Sequence, residues 1–198
     1  MRKDLLVLTI TIIAISLTVF LLIPNAIETL AFSGQEFLGG EVWRIITFSF
    51  VHISWTHLIE NIITLMVTAL LSYEFGLRGK HFIYTFVLSG VLIALSQVML
   101  APLIILAGAS LGIYAVLGSI SIKGSTLISE YILIPVLGLS VFLKFIFSLI
   151  TYPEGISMQL INQSFLHFFG FLSGIILFYI FIKYDHVRKT SCLRKITT

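Results

Sequence analysis

Charged side chains make up only 11% of the 198 residues, and the acidic ones number nine. Soluble domains are about a quarter charged, so a water-soluble fold is excluded: nothing in this chain would cover its surface. Cysteine is nearly absent as well. Cys192, in the basic C-terminal stretch, is the only one, which excludes an intramolecular disulfide and a cysteine-rich metal site. Nor is there an internal repeat or a low-complexity segment. The net charge of +3 comes from basic residues in short segments beside apolar runs, a placement that the positive-inside rule explains without a polyanionic ligand. Nucleic acid is therefore excluded as a partner.

What is present is apolar. Hydrophobic residues account for 58% of the chain and the mean hydropathy is +1.09. Several runs approach the roughly 20 residues that cross about 30 Å of hydrocarbon at 1.5 Å per residue. Reading them between charged or Gly/Pro-rich breaks predicts six spans, at residues 5–23, 57–73, 82–100, 110–122, 129–150 and 161–182. The expected fold is an all-α polytopic membrane protein, with residues 1–198 forming one membrane domain and about 183–198 a basic tail. The N-terminal run is too long for a signal-peptide h-region and lacks a small-residue cleavage site, so it is expected to stay as a first helix.

The lipid bilayer is thus the first partner. An even number of spans puts both termini on one side. That side collects Arg2, Lys3, Arg78, Lys80, Lys123, Lys183, Arg188, Lys189, Arg194 and Lys195, leaving Arg44 among the opposite loops. The expectation is a multi-pass protein of a prokaryotic cell membrane with both termini cytoplasmic. The first outer loop, residues 24–56, is the longest connection and carries Trp43, Arg44 and Trp55. On composition alone the tryptophans are interface anchors and Arg44 a snorkelling residue.

Ionisable and strongly polar residues within apolar spans are costly and mark sites. They are few here: His57, Glu60, Asn61, Ser110, Lys144 and His167. His57 and Asn61 stand four apart, so they share a helical face. Ser110 opens the short fourth span after Gly108-Ala109. The unpaired N–H groups of that first turn and the positive end of the helix dipole suit a nucleophile whose attack creates an oxyanion. A serine at a helix start is by itself usually only an N-cap, and it needs a base. His167 supplies one. It shares a stripe with Gly170 and Gly174 at i+3 and i+7, and the fourth span offers the small residues Gly112, Ala115 and Gly118. Close approach of the two helices along that stripe would carry the imidazole to Ser110, with Tyr114 one turn below to pack on the ring. A lone membrane histidine without such a serine would instead be a structural hydrogen-bonding residue. The string Gly108-Ala109-Ser110-Leu111-Gly112 also matches the elbow of soluble hydrolases, but that motif needs a preceding strand and an acid before the histidine, and Asp185 follows His167.

In this order the residues resemble the rhomboid family of intramembrane serine proteases. The matching elements are Trp43-Arg44, the H-x4-H-x3-N pattern of His52, His57 and Asn61, the G-x-S motif at Gly108 to Ser110 with Tyr114, and His167 with Gly170 and Gly174. The resemblance runs from about residue 5 to 182. It implies a serine endopeptidase that cleaves transmembrane segments of membrane proteins near the outer face, using Ser110 as nucleophile and His167 as general base and then acid. Oxyanion stabilisation would come from the Ser110 N–H with His57 and Asn61. His52 would shape the cavity and Arg44 would hold the first loop. No cofactor or metal is implied. One departure is Leu111, where the family usually has glycine, and it narrows the approach to the serine.

Two rivals follow from the same residues. One is an inactive rhomboid-like protein that binds client membrane proteins, against which the presence of both Ser110 and His167 counts. The other is a haem or metal protein ligated by His52, His57 and His167. A further expectation concerns Glu60 and Lys144. The resemblance implies substrate access between the second and fifth spans, where these two would form an ion-paired gate. Alternatively Lys144 snorkels and Glu60 is protonated or hydrogen-bonded in the bundle.

Overall fold

A computed structural model describes residues 3–151 and 158–196, with the side chains of residues 3–143, 146 and 162–183. The described residues form long helices joined by an ordered first loop. Helix α1 spans Lys3–Leu22. Three short helices follow in the loop, α2 at Ala26–Leu30, α3 at Gly34–Leu38 and α4 at Arg44–Thr47. Helices α5 (Trp55–Glu74), α6 (Gly79–Leu100), α7 (Ser110–Lys123), α8 (Glu130–Thr151) and α9 (Met158–Ile196) complete the order.

Among the described residues, four helices are long and apolar enough to cross a membrane: Lys3–Leu22, Trp55–Glu74, Gly79–Leu100 and Asn162–Lys183. Helix α7, at 14 residues, is shorter than these, and in the 22-residue α8 the described side chains form the apolar stretch Glu130–Leu143. The long helices wear their apolar residues on the outside. In α1 the buried stripe is Leu5, Thr9, Ile12, Ser16 and Val19, a helical repeat facing the bundle, while Leu6, Val7, Ile10 and Ile15 point outward. Exposed faces of this kind fit a lipid surround rather than water.

Helix α7 is the opposite case. Every residue from Leu111 to Ile122 is buried, as expected of a helix that is apolar all round. It packs most extensively on α9 and also contacts α5, α6 and α8. Small residues set the seam. A β-carbon on Gly174 would run into the Ala115 carbonyl, and one on Gly118 into the carbonyl of Phe171. Gly112 does not join this seam. It faces the Phe86 ring on α6, and the backbone of Leu111 meets Gly170 instead, because a helix wrapped on all sides has neighbours for every face. At the other end of the bundle, Asp4 accepts a hydrogen bond from the Gly79 N–H at 3.0 Å. It thereby satisfies one of the orphan donors at the start of α6.

The irregular segment between α6 and α7 is stitched to the first loop. Phe32 and Leu106 exchange backbone hydrogen bonds of 3.0 and 2.8 Å, and the Gln35 N–H donates to the Pro102 carbonyl at 3.1 Å. Backbone polar groups that no helix satisfies are therefore paired within the protein, as membrane depth requires.

Candidate active site

Ser110 begins α7, and what precedes it fixes its pose. Gly108 has φ of 112°, a region that glycine enters without steric cost, and its N–H donates to the Phe48 carbonyl at 2.9 Å. The chain thus turns sharply against the first loop before the helix starts. The Ser110 N–H lies in the first turn, where backbone donors have no partner within the helix.

His167 projects from α9 to meet it. Its Nε2 lies 2.9 Å from Ser110 Oγ. The Tyr114 ring packs against the imidazole with centroids 4.8 Å apart. His57 approaches from α5, so near Gly108 that a β-carbon there would stand 2.7 Å from His57 Cε1. Ser54 caps α5, its hydroxyl accepting from the His57 N–H at 3.2 Å. Asn61 is buried and donates one amide hydrogen to the His57 carbonyl at 2.8 Å, which leaves its second amide hydrogen for another acceptor. Ser110, His167, Tyr114, His57, Asn61 and Gly108 are accordingly brought together at one point. Ser110, His167, His57, Asn61 and Glu60 line one cavity of about 860 Å³.

The remaining sequence candidates sit around this point. His52 packs edge-on against His57 at 5.1 Å, and its Nδ1 donates to the Phe50 carbonyl at 3.2 Å. A carbonyl only accepts, so the proton sits on Nδ1. Burial, with the neighbouring His57 as a second cause, pushes the His52 pKa down from 6.5 to about 4. Arg44 is 5% exposed. Its guanidinium donates to the Ala31 carbonyl at 2.7 Å, the Glu28 carbonyl at 2.5 Å and Glu41 at 2.6 Å, so it ties the first loop together rather than reaching for headgroups. Trp43 donates from Nε1 to the Thr29 carbonyl at 3.2 Å. Trp55 stacks edge-on against Phe20 on α1 at 4.7 Å. The side chain of Lys144 lies outside the described residues, and with it the Glu60–Lys144 gate.

Leu111 lines the same cavity as Ser110. Only 5% exposed, it belongs to an apolar cluster with Phe32, Phe48, Leu106 and Leu166. Not foreseen from sequence were Ser54 and the polar groups Ser140, Asn162 and Gln163 on the cavity wall. A serine just before an apolar run is the N-cap signal by which the first of these could have been found.

A cavity that holds a serine hydroxyl against an imidazole, inside a bundle with several helices apolar enough to cross a membrane, fits a multi-pass membrane protein. The family model described as Rhomboid domain matches residues 39–184. The chain is a member of the rhomboid family. Comparison with curated proteins gave no match.

Proposed function

We propose that this rhomboid-family protein is an intramembrane serine endopeptidase acting on transmembrane segments of other membrane proteins through a Ser110/His167 dyad. The observation that carries this reading is the 2.9 Å contact between His167 Nε2 and Ser110 Oγ, within hydrogen-bond reach for general-base activation. Six spans, both termini cytoplasmic and cleavage near the outer face of a cell membrane complete the reading.

Ser110 Oγ attacks the scissile carbonyl carbon while His167 Nε2 takes its proton. The negative charge on the former carbonyl oxygen is met by the Ser110 N–H, the second amide hydrogen of Asn61 and His57. Donors of this kind are each worth about 2.7–4 kcal/mol in a site that excludes water. Collapse breaks the C–N bond as His167 gives its proton to the leaving amine. Water, deprotonated by the same imidazole, then releases the acyl group from Ser110. In triad enzymes an acid orients the histidine, and here Tyr114, packed on the ring, takes part of that task.

The test is labelling of purified protein by a fluorophosphonate probe, together with cleavage of a transmembrane peptide. Wild type should label and cleave, whereas Ser110→Ala and His167→Ala should each lose cleavage with the fold intact. The double variant should be scarcely worse than either single one. A wild type that neither labels nor cleaves would leave the client-binding, non-enzymatic reading standing.

A further inference from the structure

Helices α6, α7 and α9 are joined by two hydroxyl relays. Ser173 donates to the Gly170 carbonyl at 2.7 Å, and Ser119 donates to the Gly174 carbonyl at 3.0 Å. A hydroxyl carries one proton, so both are committed. That fixes the direction of the remaining contacts. Ser89 donates to Ser173 Oγ at 2.5 Å, and Thr85 donates to Ser119 Oγ at 3.2 Å. Thr85 and Ser89 are one turn apart on α6, as Gly170 and Gly174 are on α9. The relays therefore form two rungs of a ladder, Thr85–Ser119–Gly174 and Ser89–Ser173–Gly170. Thr85, Ser89 and Ser119 have no exposed surface at all.

Both rungs end on the glycines where α9 lies against α7. Close packing sets how near two helices come, but it says less about how far one slides or turns along the other. Hydrogen bonds are directional, and the two that cross to α9, from Ser89 on α6 to Ser173 and from Ser119 on α7 to Gly174, pin both. His167 stands one turn before Gly170, so the depth and rotation that the rungs impose on α9 set where the imidazole meets Ser110. We infer that Thr85, Ser89, Ser119 and Ser173 are positioning residues for His167, doing through the helix backbone what the acid of a triad does through the ring. The inference rests on the serine-protease reading above.

The full-length protein in detergent tests it, with fluorophosphonate labelling rates at Ser110 measured across pH and thermal midpoints measured alongside. Ser89→Ala should slow labelling about tenfold, and Thr85→Val with Ser89→Ala about a hundredfold, well below each variant's midpoint, because small misplacements of a reacting group cost this much. Ser173→Thr keeps the hydroxyl and should label within about twofold of wild type, as expected if the bond rather than the residue matters. In a His167→Ala background Ser89→Ala should leave the residual rate unchanged, since the rungs act only through the imidazole. Wild-type labelling by the Thr85/Ser89 variant, or the same fold loss with and without His167, would reduce the ladder to interhelical adhesion and overturn the inference. Should Ser89→Ala fail to fold, Ser173→Ala breaks the same rung at a half-buried position and is read in the same way. A wild type that does not label overturns the protease reading, and this inference with it. Labelling by wild type with insensitive ladder variants overturns this inference alone.

Discussion

Gly108 and His57 are fitted to each other: the glycine turns its bare α-carbon to the imidazole, and a β-carbon there would stand 2.7 Å from Cε1 and 2.8 Å from Nε2. The same residue carries φ of 112°, so a side chain is opposed both by the backbone and by the ring. Gly108→Ala should therefore push His57 away and rotate the peptide ahead of Ser110. We expect fluorophosphonate labelling to fall about a hundredfold and stability by about 1–3 kcal/mol. A labelling rate near wild type would mean that His57 takes no part in the chemistry.

The seam between α7 and α9 makes a graded prediction about glycines. Gly174 and Gly118 abut the backbone of Ala115 and Phe171, whereas a β-carbon on Gly138 in α8 would meet only the Phe171 ring edge at 3.7 Å. Helix backbones cannot yield as a flexible side chain does. Gly174→Ala and Gly118→Ala should each cost about 3 kcal/mol or more, at the upper end of overpacking. Gly138→Ala should raise stability by about 1 kcal/mol, the gain from replacing an accommodated helical glycine. Thermal midpoints in detergent rank the three.

The long helices and the Ser110–His167 pair were readable in the sequence for one physical reason. In an apolar chain, long runs and rare polar side chains stand out, and His167, Gly170 and Gly174 fall on one helical stripe. Other parts were not readable. Gly112 was expected on the α9 seam but faces Phe86, because α7 is buried on every side and its pattern has no preferred face. The role of Arg44 was missed by composition, since its partners are mainly backbone carbonyls, which leave no trace in residue spacing. Serine and threonine are common in membrane helices, and nothing in their order marks Thr85, Ser89, Ser119 and Ser173 as partners.

Asn61 spends one amide hydrogen on its own helix, which leaves the other for an acceptor in the cavity that Asn61 lines. A donor that meets charge only in the transition state raises kcat rather than lowering KM. Asn61→Ala should lower kcat for a transmembrane peptide by about a hundredfold, in the range of one oxyanion donor, with KM little changed. A pure KM effect would assign Asn61 to substrate binding.

His52 makes a prediction about acid. Its pKa is about 4 in the folded protein against an ordinary 6.5, so between those values the unfolded chain binds the proton that the folded one refuses. Folding stability then rises with pH across that window. It is complete above about pH 6.5 and declines as pH falls towards 4. Thermal midpoints measured over pH 4–7 should show this slope in wild type and a shallower one in His52→Gln. Equal slopes would show that His52 is not the source.

Leu111 stands where the family usually has glycine, and it permits a test of whether that departure changes the reactivity of Ser110. Its side chain points into the cluster of Phe32, Phe48, Leu106 and Leu166, joining the start of α7 to the first loop and to α9 next to His167. Its backbone meanwhile still meets Gly170 closely, with a β-carbon on Gly170 standing 3.0 Å from the Leu111 carbonyl oxygen. The side chain thus serves as packing while forming part of the wall of the cavity that holds Ser110. Leu111→Gly should open a cavity beneath the serine and cost about 3 kcal/mol or more, as large-to-small changes in cores do. Labelling at Ser110 should slow rather than quicken, because the helix start loses the contacts that hold it. Faster labelling at unchanged stability would show instead that the leucine obstructs access to the serine.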